Sequence, residues 1–172
     1  MKDAPDWADG MLFNLERNAR YHRARSAFYD SYSRWITFAN IAVGASFPFV
    51  VVTASLPGYL VIASASVALV NALALAFDIN KRTVDHQILS RQFKDLKVEI
   101  AEKIEEKQEI SEAYFERRRN EIEQHEYPIF NVLDDLMYIE VCKSLGRTVP
   151  DEVSVGFWPR MFKHWIRFEG RT

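Results

Sequence analysis

The stretch that decides the fold is residues 35–77, WITFANIAVGASFPFVVVTASLPGYLVIASASVALVNALALAF, which contains no Asp, Glu, Lys or Arg. Near its middle stands Pro57-Gly58, a pair that is typical of turns. The turn that we predict at 57–58 divides the stretch into two apolar segments, 35–56 and 59–77.

Both segments have the length of a membrane span. A helix needs about 20 apolar residues to cross the roughly 30 Å of hydrocarbon in a bilayer, and the two segments have 22 and 19 residues. A helix buried in a soluble protein would normally show a polar stripe, whereas the polar side chains here are only Thr, Ser and Asn. We therefore expect a two-helix transmembrane hairpin, with a hairpin inside a soluble core as the alternative.

The charges that flank the hairpin predict its orientation. Basic residues come shortly before and after it: Arg17, Arg20, Arg23, Arg25, Arg34, Lys81, Arg82, Arg91, Lys94 and Lys97. Because cytoplasmic flanks carry an excess of Lys and Arg, we expect both termini in the cytoplasm. Trp35 and Tyr59 stand at the ends of the segments, where aromatic rings prefer the membrane interface.

The remaining composition fits this placement. Net charge is −2, and Cys142 is the single cysteine, so no intrachain disulfide forms and a reducing compartment suits the chain. Residues 1–34 show no early apolar segment of the kind that a signal peptide has, so we expect the hairpin to remain as an anchor.

The N-terminal cytoplasmic segment, 1–34, is predicted to form a helix from residue 11. Its apolar and small side chains follow one face, with Asp9-Gly10 placed to cap the start. The residues of that face are Leu12, Leu15, Ala19, His22 and Ser26.

The region 78–146 is predicted to be a long cytoplasmic helical bundle. The second span should run on directly as a helix whose apolar seam repeats every three or four residues, typical of a coiled coil or bundle. That seam contains Leu89, Phe93, Leu96, Ile100 and Ile104. We expect a new helix at Ser111 and another opened by Pro128 and ended by Gly146.

The segment 147–172 is predicted to be a linker followed by an amphipathic C-terminal helix. Aromatic residues, among them Trp158, Phe162 and Trp165, alternate with Arg and Lys, the composition of a helix that lies on anionic lipid. Packing against the cytoplasmic bundle or a neighbouring subunit is the alternative.

No catalytic constellation is present. The sequence has no phosphate-binding loop, dinucleotide fingerprint or zinc-protease motif, and the four histidines are scattered. Glu121 and His125 share a helix face, but a solvated pair is the simpler interpretation, so we expect no enzyme, no metal site and no cofactor. A metal-dependent helical bundle is the least favoured hypothesis. Without an uninterrupted basic face, nucleic-acid binding is not expected either.

The polar residues of the spans are the candidate functional residues. They follow one face of each span, and two hairpin helices cannot enclose a channel, so a pore requires a homo-oligomer. The pore-lining candidates are Thr37, Asn40, Gly44, Ser64, Asn71 and Asp78. The alternative is a packing seam, in which small residues and amides hold the helices together.

The layout resembles the SLATT (SMODS- and SLOG-associating two-transmembrane effector) family of bacterial conflict systems. The resemblance is carried by the segments ARYHRARSAFYDSYSRW, FDINKRTVDHQILSRQFKDLKVEI and EYPIFNVLDDLMYIEVCKSLG and covers about residues 11–146. It implies a pore-forming or membrane-disrupting effector of the bacterial inner membrane, triggered by a nucleotide signal or a sensor protein during phage attack. A non-conducting membrane scaffold that recruits partners through its cytoplasmic helices is the alternative.

Overall fold

The structure is a computed structural model that describes residues 5–53, 58–108, 111–151 and 153–167. For residues 44–53 and 59–60 the structure describes the helical backbone but not the side chains. Every regular element among the described residues is a helix, so the all-α prediction is confirmed.

Six helices follow one another along the described chain. Their bounds are α1 Asp6–Thr53, α2 Gly58–Ala76, α3 Ile79–Glu105, α4 Glu112–Glu123, α5 Asn131–Ser144 and α6 Phe157–Met161. Tertiary contacts divide the chain into two compact units. We call Ser26–Asp85 the hairpin unit, and Met1–Arg25 together with His86–Thr172 the bundle unit.

The first core of the bundle unit forms where α1 packs against α3 and α4. The predicted seam of α3 is confirmed, since four of its members are at most 3% exposed and Ile104 packs against them. The cluster consists of Met11, Leu15, Ala19, Leu89, Phe93, Leu96, Ile100, Phe115 and Ile122. Burial of such side chains supplies most of the stability of a helical bundle.

A second side of α1 packs against α5. Tyr21 joins Leu133, Leu136 and Met137 in one cluster, and Phe13 joins a second cluster with Val141 and Cys142. Because α1 is covered by three helices, residues 8–25 include apolar side chains around most of its circumference. Apolar residues at two different sides of one helix require neighbours on both sides, which α3, α4 and α5 provide.

Charged side chains connect three of these helices at the edge of the core. Glu16 of α1 accepts hydrogen bonds from Arg20 Nε at 2.6 Å and from Lys97 Nζ of α3 at 2.8 Å. Arg20 also donates to Glu140 of α5 at 3.0 Å. Burial alone would raise the pKa of Glu16, but the bonds and charges of Lys97 and Arg20 lower it below the usual value.

Several helix ends differ from the sequence prediction. Helix α1 begins at Asp6, just after Pro5, so the predicted cap at Asp9-Gly10 is wrong; both residues lie inside the helix. Proline fits a helix start because its missing N–H would have no partner there. Helix α5 begins at Asn131, three residues after Pro128.

Two other predicted ends are confirmed. Ser111 caps α4, with its hydroxyl accepting from the N–H of Tyr114 at 3.4 Å. After α5, Gly146 adopts a φ of +65°, a left-handed conformation that glycine reaches without strain.

The sequence predicted that the second span runs on directly into the following helix. The structure shows an interruption there instead. Helix α2 ends at Ala76 and α3 begins at Ile79, and the axes differ by 44°. Asp78 has a φ of +49°, and Arg82 Nε donates to the carbonyl of Phe77 at 2.9 Å. A residue at positive φ cannot continue a right-handed helix, so the chain bends here.

The C-terminal segment is less helical than predicted. Helix α6 has only five residues, and turns follow it from Phe162 to Trp165. The long amphipathic helix of the sequence prediction is therefore wrong within the described part of the tail. The residues after Arg167 lie outside the description.

The described helices were also compared with the requirements of a membrane span. Taken singly, none of them has both the length and the hydropathy required. The bent pair Val61–Ala76 and Ile79–Glu105 meets both requirements jointly, by length and composition.

Candidate functional site

The hairpin unit contains a reciprocal amide pair. Asn40 Nδ2 of α1 donates to Asn71 Oδ1 of α2 at 3.0 Å, and Asn71 Nδ2 donates to Asn40 Oδ1 at 2.7 Å. Asn71 uses its second N–H on the carbonyl of Val67 at 3.0 Å. These two predicted site residues are therefore brought together, and each amide acts as both donor and acceptor for the other.

A second polar contact fixes the register of the same hairpin. Ser33 Oγ donates to Asn80 Oδ1 at 3.1 Å. Both contacts are centred in sequence on residues 55–57, between α1 and α2, as an antiparallel pair of helices requires. The predicted turn falls here: Gly58 is the first residue of α2, while Pro57 lies outside the described residues.

Three of the other pore-lining candidates, Thr37, Ser64 and Asp78, do not belong to this amide pair. Thr37 donates its hydroxyl to the carbonyl of Ser33 at 3.0 Å, within its own helix. Ser64 is exposed, and Asp78 is exposed at the bend after α2. Gly44 lies in α1, in the part whose side chains are outside the description. The predicted stripe is thus concentrated in one amide pair.

Around this pair the hairpin unit exposes large apolar side chains. Trp35, predicted at the membrane interface, is 71% exposed and its ring meets Phe38 edge to face at 5.9 Å. The side chain of Tyr59 is outside the description. The exposed apolar residues of the unit are Trp35, Phe38, Ile41, Val61, Ile62, Leu69, Leu73, Leu75, Phe77 and Val84. Monomeric soluble proteins rarely expose so much apolar surface, and surfaces of this kind are typical of sites that meet lipid or another protein.

The C-terminal segment is attached to the bundle unit by polar contacts. Arg25 Nη1 donates to the carbonyl of His164 at 2.9 Å, and Arg167 Nε donates to the carbonyl of Ile129 at 3.2 Å. Arg25 is 3% exposed, and its guanidinium lies 4.2 Å from the centre of the Phe130 ring. Both arginines bind backbone carbonyls, so these two hydrogen bonds do not involve the apolar side chains of the segment.

The aromatic side chains of this segment face outward. Trp158 and Trp165 are 65% and 62% exposed, while Phe162 is half-buried and stacks against Trp158 at 6.3 Å. Phe157, Met161 and Ile166 are exposed as well. Between Phe157 and Arg167 the chain has three basic residues and no acidic one. The segment therefore combines docking on the bundle with an exposed, basic aromatic surface.

Burial also lowers the pKa of His164 in this segment. Desolvation, and then the charges of Arg25 and Lys163, lower the pKa of His164 to about 4. At neutral pH the imidazole of His164 is uncharged, so the positive charge of the segment comes from arginine and lysine alone.

Two of the four histidines that look scattered in the sequence are in contact. His22 Nδ1 and His86 Nδ1 are 2.8 Å apart, and both residues are at most 2% exposed. Their scatter along the sequence therefore does not mean that they are apart in the fold. The sequence signal that could have found the pair is the position of His22 on the buried face of α1 and of His86 one turn before Leu89 and Ser90.

His125 and Glu121 do not form a side-chain pair. The imidazole Nδ1 of His125 lies 3.0 Å from the backbone carbonyl of Glu121. Both residues line a cleft of about 390 Å³ whose other polar members include Glu99 and Arg118. Within the described ranges, no group of three or more His, Cys, Asp or Glu residues has a metal-binding arrangement.

Comparison of the chain with models of protein families, with curated proteins and with solved structures finds no match.

Proposed function

We propose that this protein is an oligomeric membrane effector, with residues 35–77 inserted in the bacterial inner membrane and both termini in the cytoplasm. In this proposal several hairpins assemble and permeabilise the bilayer when the bundle unit receives a nucleotide signal or binds a sensor protein. The resemblance to SLATT effectors supplies the biological setting, defence against phage.

The observation that carries the proposal is the apolar surface that surrounds a self-satisfied amide pair. Large apolar side chains of both hairpin helices are exposed, and residues 35–77 have no charged side chain. In hydrocarbon an unpaired amide is costly, whereas Asn40 and Asn71 satisfy each other. Such a surface suits lipid and neighbouring copies of the same hairpin.

The amide pair also supports assembly. Asn40 donates one of its two amide N–H groups to Asn71, and within the described residues its side chain donates no second hydrogen bond. The side chain is exposed in one protomer, so its remaining donor is available to a neighbouring hairpin or to water in a pore. A stripe of this kind is what an oligomeric pore of short hairpins requires.

A scaffold without conductance is the second candidate. Two observations favour it: the two amides bond to each other, as in a packing seam, and residues 35–77 contain no charged residue that could form a ring for ion selection. In that case the hairpin anchors the bundle unit, and the exposed tail and helix surfaces recruit partners.

The experiment is current recording from the purified full-length protein in planar bilayers, with candidate nucleotides added and with clustering forced by a fused dimerising domain. Three variants are compared with the wild type: Asn40→Leu, Asn71→Leu and the double variant. Crosslinking of each variant in the same membranes serves as the control for assembly.

The pore proposal predicts discrete currents for the wild type and none for the double variant, although the double variant still assembles. If the double variant conducts like the wild type, the amide pair belongs to a packing seam and not to a conduction path. If the clustered wild type is silent with every nucleotide and binds partners through residues 79–172, the scaffold replaces the pore.

A further inference from the structure

We propose that His22, His86 and Glu126 form a proton-sharing site that holds α1 and α3 together in the bundle unit and opens when both imidazoles are protonated. His22 Nδ1 lies 2.8 Å from His86 Nδ1, and His22 Nε2 lies 2.9 Å from Glu126 Oε1. The inference concerns the bundle unit alone and does not rest on the proposed membrane function.

The site is enclosed by aromatic rings. The His22 ring stacks on Phe93 at 5.6 Å with an angle of 7° between the planes, and Tyr21 meets it edge to face at 5.2 Å. His86 has the ring of Tyr127 at 5.5 Å. Phe93 is fully buried, so water does not replace the hydrogen bonds of the pair on this side.

The geometry limits where the protons can be. An ionised carboxylate only accepts hydrogen bonds, so the bond to Glu126 requires a proton on His22 Nε2. Neutral His22 then presents an unprotonated Nδ1, and the contact at 2.8 Å requires the proton on His86 Nδ1. One proton therefore lies between the two rings, and the tautomer of each histidine is set by its neighbour.

A further proton, bound at Nε2 of His86, leaves both hydrogen bonds of His22 in place. It makes the pair an imidazole and an imidazolium that still share one N–H between the Nδ1 atoms, with the Glu126 carboxylate as counter-ion. A second added proton puts hydrogen on both Nδ1 atoms. Two N–H groups cannot face each other at this distance, so the rings must separate.

The charged groups around the site come from each neighbouring element. On α1, Arg25 is one turn from His22, and its guanidinium is engaged with His164 and Phe130. On α3, the charged residues nearest His86 in sequence are Arg82, which binds the carbonyl of Phe77, and Asp85.

Carboxylates surround Glu126. The charge of Glu126 contributes to raising the pKa of both Glu123 and Asp134, after the larger effect of their own burial. Neutralising the charge of Glu126 by a proton on the histidine pair is therefore favourable, whereas a second proton is repelled by the positive charge that the first has already brought to the pair.

The histidine pair lies where the chain passes from the bundle unit to the hairpin unit. Helices α1 and α3 are the two elements that continue from the bundle unit into the hairpin unit, and His22 and His86 lie close to the boundaries at Arg25 and His86. Separation of the rings loosens the bundle where these two helices leave it. Acidification is thus a signal to which this part of the bundle can respond.

The test uses the full-length protein in detergent micelles, with all variants in a His164→Asn background because His164 titrates on its own. Amide hydrogen exchange near residues 22 and 86 is followed between about pH 7 and about pH 4, a range that brackets the reference pKa of histidine. The variants are His86→Asn, which keeps a hydrogen-bonding side chain without titration, and His125→Asn, an exposed control.

We expect exchange, corrected for its intrinsic pH dependence, to rise about tenfold on acidification in the background protein, the size expected for loss of a buried hydrogen bond. His125→Asn should behave identically, and His86→Asn should show no such rise. An unchanged rise in His86→Asn would overturn the proposal. So would a stoichiometric metal ion that His86→Asn loses, because the pair would then be a ligand pair.

A measurement on the unmutated protein decides the question if His86→Asn fails to fold. Nitrogen-15 spectra of labelled histidine at neutral pH should show His22 protonated at Nε2 and His86 protonated at Nδ1, with a coupling across the Nδ1–H···Nδ1 bond. The same tautomer at both histidines, without that coupling, would exclude a shared proton.

Discussion

Asn40 and Asn71 hold the two helices of the hairpin together through a pair of reciprocal hydrogen bonds at 3.0 and 2.7 Å. The residues are 31 positions apart, and each amide is donor and acceptor for the other. Among the residues that the structure describes, this is the cross-helix hydrogen bonding that joins two predicted site residues, and it determines what substitutions in the hairpin should do.

Replacing one member of this pair should lower the free energy of unfolding by more than half of the loss caused by replacing both. Asn71→Leu leaves Asn40 without its partner and should lower the free energy of unfolding in detergent micelles by about 1 kcal/mol. The double change to leucine should cost less than the sum of the single changes, because no amide is left unpaired. The matched control is Ser66→Ala, because the hydroxyl of Ser66 bonds within its own helix. This change should alter the free energy of unfolding little. Strictly additive effects would contradict the pairing.

Tryptophan positions should report which parts of the chain meet lipid. Four single-tryptophan proteins are made, with the other three tryptophans changed to phenylalanine, and are placed in anionic nanodiscs that contain brominated lipid. Trp35, Trp158 and Trp165 are exposed and should be quenched, because aromatic rings settle at the interface.

Trp7 is the internal control of that experiment. It packs against the first core, 6.3 Å from the ring of Phe115, and should not be quenched. Quenching of Trp35 without quenching of Trp158 and Trp165 would show that the tail docks on protein, whereas the lipid interpretation of both regions fails if none of the four responds.

Phe93→Ala should strongly destabilise the bundle unit. The side chain is fully buried in the first core and stacks on His22, so its removal leaves a cavity and should lower the free energy of unfolding by about 3–5 kcal/mol. Denaturant unfolding measures the change. Val98→Ala on the same helix removes a half-exposed side chain and should change stability by less than about 0.5 kcal/mol. Equal losses for the two variants would mean that α3 presents a different face to the core.

His164 should make the protein less stable as the pH falls. Its pKa in the folded protein is about 4, below the ordinary value of 6.5, so the unfolded chain binds more protons between these values. Stability contributed by the neutral imidazole is complete above about pH 6.5 and is lost as the pH falls towards about 4. Thermal unfolding of His164→Asn should show a weaker pH dependence in this window. A profile identical to that of the wild type would mean that the imidazole is not desolvated.

Gly146 should tolerate asparagine better than alanine. Its φ of +65° is unfavourable for a residue with a side chain, although no atom lies within 4 Å of an added Cβ. Gly146→Ala should therefore cost about 1 kcal/mol from the backbone alone, and Gly146→Asn less, because asparagine tolerates this conformation. Chemical denaturation of both variants checks the order, and a larger loss for asparagine would point to a side-chain clash instead.

Local signals made much of the helical architecture predictable. The spacing of Leu89, Phe93, Leu96 and Ile100 predicted a buried seam, because a helix places such residues on one side whatever it packs against. Ser111 and Gly146 marked helix ends through interactions with their own neighbours in sequence. The absence of charge from 35 to 77 is likewise a property of the sequence itself, and it supports the membrane proposal without any structure.

Other features depend on residues that are distant in sequence. Periodicity placed Asn40 and Asn71 on faces of two helices, but only the antiparallel register joined them to each other. The bend at Asp78 and the shortness of α6 were not predicted for a related reason. An apolar or amphipathic pattern does not indicate the residue at which a helix ends.

The histidine pair shows most clearly the difference between what local sequence predicts and what tertiary structure decides. His22 and His86 are separated by 64 positions, and their sequence pattern places each on the apolar side of its own helix without showing that the two meet. They meet because α1 and α3 bury their apolar faces against each other, which brings two polar side chains to one place inside the core. The sequence by itself determined the all-helical class, the buried seam of α3 and the uncharged stretch 35–77, since these follow from local periodicity and composition. Only the tertiary structure decided which polar groups share a hydrogen bond, because a hydrogen bond depends on distances of a few ångströms between helices that packing alone sets.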